Sequence, residues 1–367
     1  MPTHDDWYHR AAARDWVDTS AAVPAAREFH EGLPGYAPTP LVSLPALAAE
    51  LAVAEVLVKD ESSRLGLPAF KVLGASWATA RVVSERTGVG TDLASLRRAA
   101  ASSGLHLVTA TDGNHGRAVA HMARLLGLAA TVFVPAVMTS QAASTIASEG
   151  AEVVRTDGDY DATVTTAAGF VDEHPDSVLV QDTAWDGYEQ VPAWIVEGYD
   201  TMLDEIDEQL GRTADLVAVP VGVGSLAQAV VSHYRRPDVP HPAVLSVEPD
   251  SAACLLASLV AGARAVVGTR TTVMAGLNCG TVSTSAWPVL RDGCDAAIAV
   301  TDRAALDAGS DLAGLGLSSG PSGAATLAGV RAALRTPERR AALGVDETST
   351  VVLLSTEASL NQSPDRN

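Results

Sequence analysis

The chain has 367 residues, 47% of them hydrophobic, and this length exceeds what one core usually serves, so two domains or one large α/β unit are expected. A formal net charge of −19 argues against nucleic acid or an anionic membrane surface as a partner, because both require a basic face. Three cysteines without CxxC spacing, an acidic start and interrupted apolar stretches predict a cytoplasmic protein without a disulfide framework, a metal site or a membrane span.

Short β-branched runs alternate with alanine- and leucine-rich segments of helical length, which is the pattern of βα units and parallel sheets. The predicted strands in chain order are VLVK near Val56, LHLVTA ending at Ala110, ATVFVP, AEVVRT, SVLVQD, DLVAVPVG, AVLSVEP and TVVLLS. Two of them, LHLVTA and DLVAVPVG, lead through a glycine-containing turn into a helix. These doubled units predict two α/β domains with a ligand cleft at the carboxyl ends of the strands.

The first chemical signal along the chain is Lys71, the one charged residue in LGLPAFKVLGAS. An amphipathic segment can lay a lysine stem along apolar surface and leave the ammonium in water. Alternatively, the amine is partly desolvated, so that its pKa falls and it becomes a nucleophile toward an aldehyde. The segment alone leaves both interpretations open.

Two further polar groups follow buried strands. TATDGNHG places Asp112, Asn114 and His115 at a strand end, where a carboxylate is costly unless it has a partner or a chemical role. Asp and Asn also favour turns by bonding their own backbone, which is the structural alternative. Asp182 closes the strand of VLVQD and precedes a loop, and a helix N-cap is its ordinary interpretation.

The later turn, PVGVGSLAQAV, carries glycines that let a ligand approach the backbone, with helix-terminal amides positioned for an anion such as phosphate. It also matches G-x-G-x-x-A at Gly222, Gly224 and Ala227, and Glu248 ends a later strand. A dinucleotide site, and with it an NAD-dependent oxidoreductase, is therefore an alternative. A tight turn without any ligand is another.

Lys71, the asparagine turn and the glycine turn, in that order, resemble the fold type II pyridoxal-phosphate enzymes, the family of tryptophan synthase β subunit and the serine/threonine dehydratases. Longer blocks resemble the diaminopropionate ammonia-lyases within that family. These blocks are FHEGLPGYAPTPLVSLPALA, VKDESSRLGLPAFKVLGAS, TDGNHGRAVA, VQDTAWDGYEQVPAWIVEGY, VMAGLNCG, SGPSGAA and LLSTEAS. The dinucleotide alternative explains the glycines and leaves the other blocks without a role.

The resemblance implies pyridoxal 5'-phosphate bound as a Schiff base on Lys71. It further implies contacts from Asn114 to the cofactor's 3-oxygen, from the amides of Gly222, Val223, Gly224, Ser225 and Leu226 to its phosphate, and from Ser355, with Ser322 as competitor, to its pyridine nitrogen. Lys71 and Asp112 would take the α-proton from opposite faces of the external aldimine, one for each substrate enantiomer. Asp182 would bind the β-ammonium of the substrate.

The implied reaction is α,β-elimination of a β-substituted amino acid, most simply 2,3-diaminopropionate to pyruvate and two ammonia, by a homodimer. The implied architecture has two open twisted α/β domains, residues 77–188 forming the small one and residues 1–76 and 189–367 the large one, with the cofactor between them. Departures from the family pattern at Asn278, Pro321 and Ala358 keep two alternatives open: another β-substituted substrate, or β-replacement. A non-catalytic homologue is disfavoured because Lys71, Asp112 and Asp182 are all present.

Overall fold

A computed structural model describes residues 6–19, 25–111, 113–237 and 240–359. The strands are β1 (Trp7–His9), β2 (Leu41–Ser43), β3 (Glu55–Asp60), β4 (His106–Ala110), β5 (Ala129–Pro135), β6 (Glu152–Thr156), β7 (Ser177–Leu179), β8 (Leu216–Pro220), β9 (Ala243–Pro249), β10 (Ala296–Val300) and β11 (Thr350–Ser355). The helices are α1 (Ala26–Glu31), α2 (Pro45–Leu51), α3 (Lys71–Thr87), α4 (Leu93–Ser103), α5 (Asn114–Leu126), α6 (Ser140–Ser148), α7 (Tyr160–Glu173), α8 (Gln190–Leu210), α9 (Ser225–Tyr234), α10 (Cys254–Ala261), α11 (Ala286–Gly293), α12 (Asp302–Gly314), α13 (Pro321–Leu334) and α14 (Pro337–Leu343). Within these residues, no helix has the length and apolar character that crossing a bilayer requires.

The larger sheet has seven strands in the order β1-β10-β9-β8-β11-β3-β2. Its inner strands run parallel, and the short edge strands β1 and β2 pair antiparallel to their neighbours. Every residue of β8, β9 and β11 is buried, as expected for parallel strands covered by helices on both faces. Because β8 and β11 are parallel neighbours, the turn after Pro220 and the segment after Ser355 leave the same edge of the sheet.

The smaller sheet has four parallel strands in the order β6-β5-β4-β7. Strand β4 lies between β5 and β7, with Leu107 opposite Val178. The asparagine turn that follows β4 and the loop that follows β7 therefore leave the sheet side by side. This adjacency brings the segments of Asn114 and Asp182 together.

Two glycines let helices α3 and α8 touch through their backbones. A Cβ on Gly198 would lie 2.5 Å from the carbonyl oxygen of Leu73, and one on Gly74 would lie 2.8 Å from that of Ile195. Only glycine permits so close a backbone approach. The crossing fixes the start of α3, whose first residue is Lys71.

The α/β class and all eight predicted strands are confirmed. Three strands were missed: β1 and β2, with three residues each, and the alanine-rich β10. The domain boundaries at residues 76/77 and 188/189 stay a prediction, and α3 continues through the first of them to Thr87.

Candidate active site

The amine of Lys71 faces a buried carboxylate. Lys71 Nζ donates a hydrogen bond to Asp182 Oδ2 at 2.6 Å, and 21% of the lysine side chain and 6% of the aspartate side chain are exposed. Burial alone would favour the neutral acid, but the charge of Lys71 holds the pKa of Asp182 well below its usual range. The site thus contains a carboxylate that is matched to an ammonium ion.

Asp182 stands in a loop and does not cap a helix, so the N-cap interpretation is wrong: the next helix begins at Gln190. Its Oδ1 accepts from the Gln181 side-chain amide at 3.3 Å and from the Tyr160 hydroxyl at 3.4 Å. His115 Nδ1 lies 3.9 Å from Asp182 Oδ2. These neighbours hold the carboxylate in place beside Lys71.

Asn114 is the first residue of α5, and its side-chain amide donates to Glu357 Oε2 at 2.8 Å. The other oxygen of Glu357 accepts from the Ser322 backbone amide at 3.2 Å. Burial raises the pKa of Glu357. The sequence did not indicate a role for Glu357, although it follows a buried strand by two residues and an acid after a strand is the signal that singled out Asp182. Asp112, the other predicted base, lies outside the described residues.

The glycine turn joins β8 to α9 and forms a cradle for an anion. A Cβ on Gly222 would lie 3.0 Å from the carbonyl oxygen of Gly276 and 3.2 Å from Cys279 Sγ, which leaves little room for a side chain, and Gly224 has a φ of +98°, which favours glycine. The first amides of α9, including those of Ser225 and Leu226, have no acceptor within the helix. The Ser225 hydroxyl donates to the Asp182 carbonyl oxygen at 2.5 Å, which ties this turn to the Asp182 loop.

Glu248 rules against the dinucleotide alternative. Its two carboxylate oxygens accept from the backbone amides of Leu255 and Leu256, each at 2.7 Å, at the start of α10. Burial raises the pKa of Glu248 to about 8. The Glu248 carboxyl group thus accepts hydrogen bonds from backbone amides at the start of α10 that have no acceptor within the helix. It is therefore not placed to bind a ribose.

The two candidate serine hydroxyls differ in what they bond. Ser355 Oγ donates to Ser319 Oγ at 2.8 Å, whereas the buried Ser322 Oγ has no hydrogen-bond partner among the described residues. A Cβ on Gly276 would lie 3.5 Å from Ser322 Oγ, so this hydroxyl lies beside the segment that packs on Gly222. The assignment to Ser355 stays a prediction, and the geometry favours Ser322.

A cavity of about 500 Å³ opens between the Asp182 loop and the glycine turn. Its lining residues are Tyr160, Asp161, Val164, Thr183, Ala184, Trp185, Asp186, Val223, Arg264, Thr281, Val282 and Thr284. In the described part of the chain, Thr284 Oγ1, which lines this cavity, is buried without a hydrogen-bond partner, and so are His115 Nδ1 near Asp182 and Asn278 Oδ1 and Ser322 Oγ in or beside the segment that packs on Gly222. Unsatisfied buried polar atoms are costly, so their presence fits a site built for a polar ligand.

A second polar cluster, Asp200, Asp204 and His233, brings ligand-type atoms within 4.8 Å of one another. His233 Nδ1 and Nε2 bond Asp200 Oδ1 at 2.7 Å and Asp207 Oδ2 at 2.8 Å, and Arg236 Nη2 bonds Asp200 Oδ1 at 2.8 Å. Although burial opposes it, these carboxylates raise the pKa of His233. Ion pairing among these side chains explains why their ligand-type atoms lie so close together.

A lysine amine beside a carboxylate, an asparagine at a strand end and an anion cradle of backbone amides together suit an aldehyde that carries a phosphate. The family model described as pyridoxal-phosphate dependent enzyme matches residues 33–357, and the chain belongs to that family. The cofactor of this family is the one that the sequence predicted, pyridoxal phosphate.

Within the family, the chain is 37% identical to the diaminopropionate ammonia-lyase of Escherichia coli strain K12 over 357 residues, which covers 90% of this chain and 87% of the relative. It is 36% identical to the corresponding enzyme of Salmonella typhimurium strain LT2, covering 92% and 88%. A crystal structure of the E. coli enzyme in complex with D-serine has a TM-score of 0.86 at 33% identity and covers 97% and 94% of the two chains. Maize serine racemase shares the fold, with a TM-score of 0.75 at 23% identity. The predicted fold type II architecture is confirmed.

Proposed function

We propose that this protein is a pyridoxal-phosphate-dependent ammonia-lyase that converts 2,3-diaminopropionate to pyruvate and two molecules of ammonia. The observation that carries the proposal is the 2.6 Å contact between Asp182 Oδ2 and an ammonium nitrogen, that of Lys71. The relatives that match nine-tenths of the chain carry the name of this activity.

Several residues of the chain fit the cofactor. Lys71 would bind it covalently, Asn114 and Glu357 would fix its orientation, and the amides at residues 222–226 would hold its phosphate. When bound, pyridoxal phosphate supplies an electron sink that stabilises the negative charge left at the α-carbon after proton loss. The unpartnered Ser322 hydroxyl is the donor that we assign to the pyridine nitrogen.

Asp182 would bind the substrate's β-ammonium. In the structure its carboxylate is paired with the ammonium of Lys71. An amine that is bound to the cofactor, or that is free and neutral to act as a base, is not an ammonium ion, so Asp182 becomes available to a second ammonium. A buried carboxylate favours a cation over a neutral hydroxyl, because an unpaired buried charge is costly.

Lys71 and Asp112 are the proposed bases for the two enantiomers, one on each face of the substrate. Loss of the α-proton and departure of the β-nitrogen with its bonding electron pair release neutral ammonia. The 2-aminoacrylate that remains takes up water and loses its amino group as the second ammonia, leaving pyruvate. No oxidant or reductant is needed.

A second candidate function is elimination or replacement at a different β-substituent. The observation that favours it is the position of Asn278, one of the departures from the family pattern. Its buried Oδ1 has no partner among the described residues, and its segment packs on Gly222. An amide there adds a polar contact for a β-substituent other than an amine.

The deciding experiment incubates the holoenzyme with D- and L-forms of 2,3-diaminopropionate, serine and other β-substituted amino acids and measures pyruvate and ammonia. We expect two ammonia per pyruvate from diaminopropionate, against one from serine. Lys71→Ala protein is the control for non-enzymatic release. Consumption of an added thiol without pyruvate release identifies β-replacement, and inactivity toward both diaminopropionate enantiomers contradicts the proposal.

We further propose that the enzyme works in the cytoplasm as a homodimer. The acidic composition suits the cytoplasm, and three cysteines, an odd number that suggests no disulfide framework, favour a reducing compartment. The family resemblance implies the dimer. Light scattering coupled to size-exclusion chromatography tests the assembly, and a monomeric mass for active protein contradicts it.

A further inference from the structure

His115 is a buried active-site histidine without an assigned role. It is the second residue of α5, its side chain is 4% exposed, and its Nε2 lies 2.8 Å from the carbonyl oxygen of Val180. A carbonyl oxygen only accepts hydrogen bonds, so Nε2 carries the hydrogen. The remaining ring nitrogen, Nδ1, is buried and has no hydrogen-bond partner in the described part of the chain.

The ring is neutral in this environment. Burial lowers the pKa of His115, and the charge of Lys71 lowers it further, against the opposing effect of Asp182. Nδ1 therefore presents a lone pair, 3.9 Å from the anionic Asp182 Oδ2. Two buried acceptors at this separation cannot satisfy each other, and both are stabilised when one donor group lies between them.

We propose that His115 Nδ1 and Asp182 Oδ2 together bind the β-ammonium of the substrate, and that His115 distinguishes this ammonium from a β-hydroxyl. The inference rests on the proposed function and identifies His115 as a residue that determines its substrate specificity. An ammonium has three hydrogens and can donate to both acceptors at once, whereas a hydroxyl has one and leaves an acceptor unsatisfied. Lys71 Nζ shows that Asp182 Oδ2 accepts from an ammonium in this geometry.

The acceptor pair also suits the leaving group. The β-nitrogen departs as neutral ammonia when it enters the step as an ammonium, because the electrons of the broken C–N bond go to nitrogen. A carboxylate and a neutral imidazole both favour the protonated amine until that bond breaks. His115 contributes only a lone pair, so it needs no change of its own protonation state.

Two substitutions separate this role from a structural one. In His115→Gln the side-chain amide reaches the position of Nε2 and can still donate to Val180, but no atom replaces Nδ1. In His115→Asn the amide oxygen reaches the position of Nδ1, while the bond to Val180 is lost. The first variant keeps the structural tie and removes the acceptor, and the second does the reverse.

Binding is measured by rapid mixing of the holoenzyme with 2,3-diaminopropionate or serine, following the absorbance of the bound cofactor before turnover, with kcat and KM determined alongside. We expect wild-type protein to bind diaminopropionate more tightly than serine. His115→Gln should weaken diaminopropionate binding by about 10- to 100-fold, as expected for one hydrogen bond to a charged group, and change serine binding by less than about threefold. His115→Asn should recover part of the selectivity.

Equal weakening of both ligands in His115→Gln, or a greater loss of selectivity in His115→Asn, overturns the proposal and makes His115 structural. If the binding pattern holds but diaminopropionate yields no ammonia, the proposed function fails while the ammonium site stands. A wild-type measurement decides if neither variant folds. Ammonium chloride, against sodium chloride at equal ionic strength, should compete with diaminopropionate and not with serine, and lack of competition overturns the proposal.

Discussion

The sequence contains two lysines, and the structure gives them opposite surroundings. Lys59 is completely buried, and its ammonium donates to the Thr39 carbonyl oxygen at 2.8 Å, to Glu205 Oε2 at 2.7 Å and to Gln209 Oε1 at 3.1 Å. Lys71 is partly exposed and donates to Asp182, whose neighbour in the chain, Thr183, lines the cavity. The hydrogens of Lys59 are all used by the fold.

The neighbours of the two lysines differ in the same way. Lys59 belongs to an ion cluster with Glu61, Arg64 and Glu205. In this cluster the Arg64 guanidinium makes four hydrogen bonds to the carboxylates of Glu61 and Glu205, at 2.6 to 2.8 Å. Around Lys71, buried acceptors such as His115 Nδ1 have no partner within the described residues. Both lysines therefore lie among buried groups. The Lys71 site differs from the Lys59 site in having unsatisfied polar atoms, which indicates that it binds a ligand.

The largest expected effect tests this contrast directly. Borohydride reduction of the holoenzyme should attach the cofactor to Lys71, and Lys71→Ala should lose about 10⁴-fold or more in turnover because it removes the covalent anchor. Peptide mapping checks the site, with Lys59 as the internal control because no other lysine exists in the chain. Label on Lys59 contradicts the assignment of the reactive amine.

The next effect concerns Asp112, for which the two-base hypothesis predicts an enantiomer-specific loss. Asp112→Asn should lower turnover of the D-substrate by about 10²- to 10⁴-fold, the usual contribution of a general base, and retain the Lys71-side reaction. Initial rates with each enantiomer of 2,3-diaminopropionate measure this, with cofactor absorbance as the control for loading. Equal loss with both enantiomers indicates a structural or substrate-binding role instead.

The sequence allowed us to predict features that depend on local patterns, but not the contacts between residues that lie far apart in the chain. Strands such as TVVLLS are local patterns, and Lys71 stands out in its own apolar segment. The contacts of the site are not local: Lys71 bonds a residue 111 positions away, and Asn114 bonds one 243 positions away. Glu357 was missed for this reason, since its role depends on what the fold brings to it.

The missed strand β10 has a different cause. AAIAV is rich in alanine, which favours helices, and only its buried position between β9 and β1 makes it a strand. Glu248 is the converse case, because its sequence context fitted two interpretations and its hydrogen bonds to the start of α10 support only one. Tertiary structure therefore determines both the conformation of β10 and the role of Glu248.

The ion cluster should matter for stability and not for chemistry. Glu205→Gln leaves Arg64 and Lys59 without the charge that both of them donate to, and a broken buried pair typically costs about 3–5 kcal/mol. Urea unfolding measures the loss, while kcat of the folded variant should stay near the wild-type value. Asp307→Asn, at the exposed pair with Arg303, is the matched control and should leave the unfolding midpoint unchanged. A large fall in kcat of folded Glu205→Gln contradicts the separation of the two regions.

A histidine next to this cluster should make the fold sensitive to acid. His30 bonds Thr201 at 2.8 Å and the Leu73 carbonyl oxygen at 3.0 Å, and burial lowers its pKa to about 3. The unfolded chain, with a histidine pKa near 6.5, binds the proton more readily, so this contribution to stability is present above pH 6.5 and is lost as the pH falls toward 3.

For His30 alone, the loss between pH 7 and pH 5 amounts to about 2 kcal/mol. His30→Gln retains a donor but cannot titrate, so its unfolding free energy should depend less on pH by that amount. Urea unfolding of both proteins at the two pH values gives the difference and cancels the titration of other groups. Parallel pH dependences contradict the assignment.

The smallest effect compares two hydroxyls at the edge of the active site. Ser322 Oγ is buried without a hydrogen-bond partner among the described residues, and such an atom is costly, so Ser322→Ala should not destabilise the cofactor-free protein. If this hydroxyl donates to the cofactor, the same variant should bind pyridoxal phosphate about 2- to 10-fold more weakly, as expected for one neutral hydrogen bond.

Ser355→Ala should show the reverse: it leaves the buried Ser319 hydroxyl without its donor, which costs about 1 kcal/mol of stability, and retains cofactor affinity. Cofactor titration followed by absorbance and urea unfolding of the cofactor-free proteins measure the two quantities separately. Weakened cofactor binding in Ser355→Ala alone would restore the sequence-based assignment and show that Ser355 changes partner when the cofactor binds.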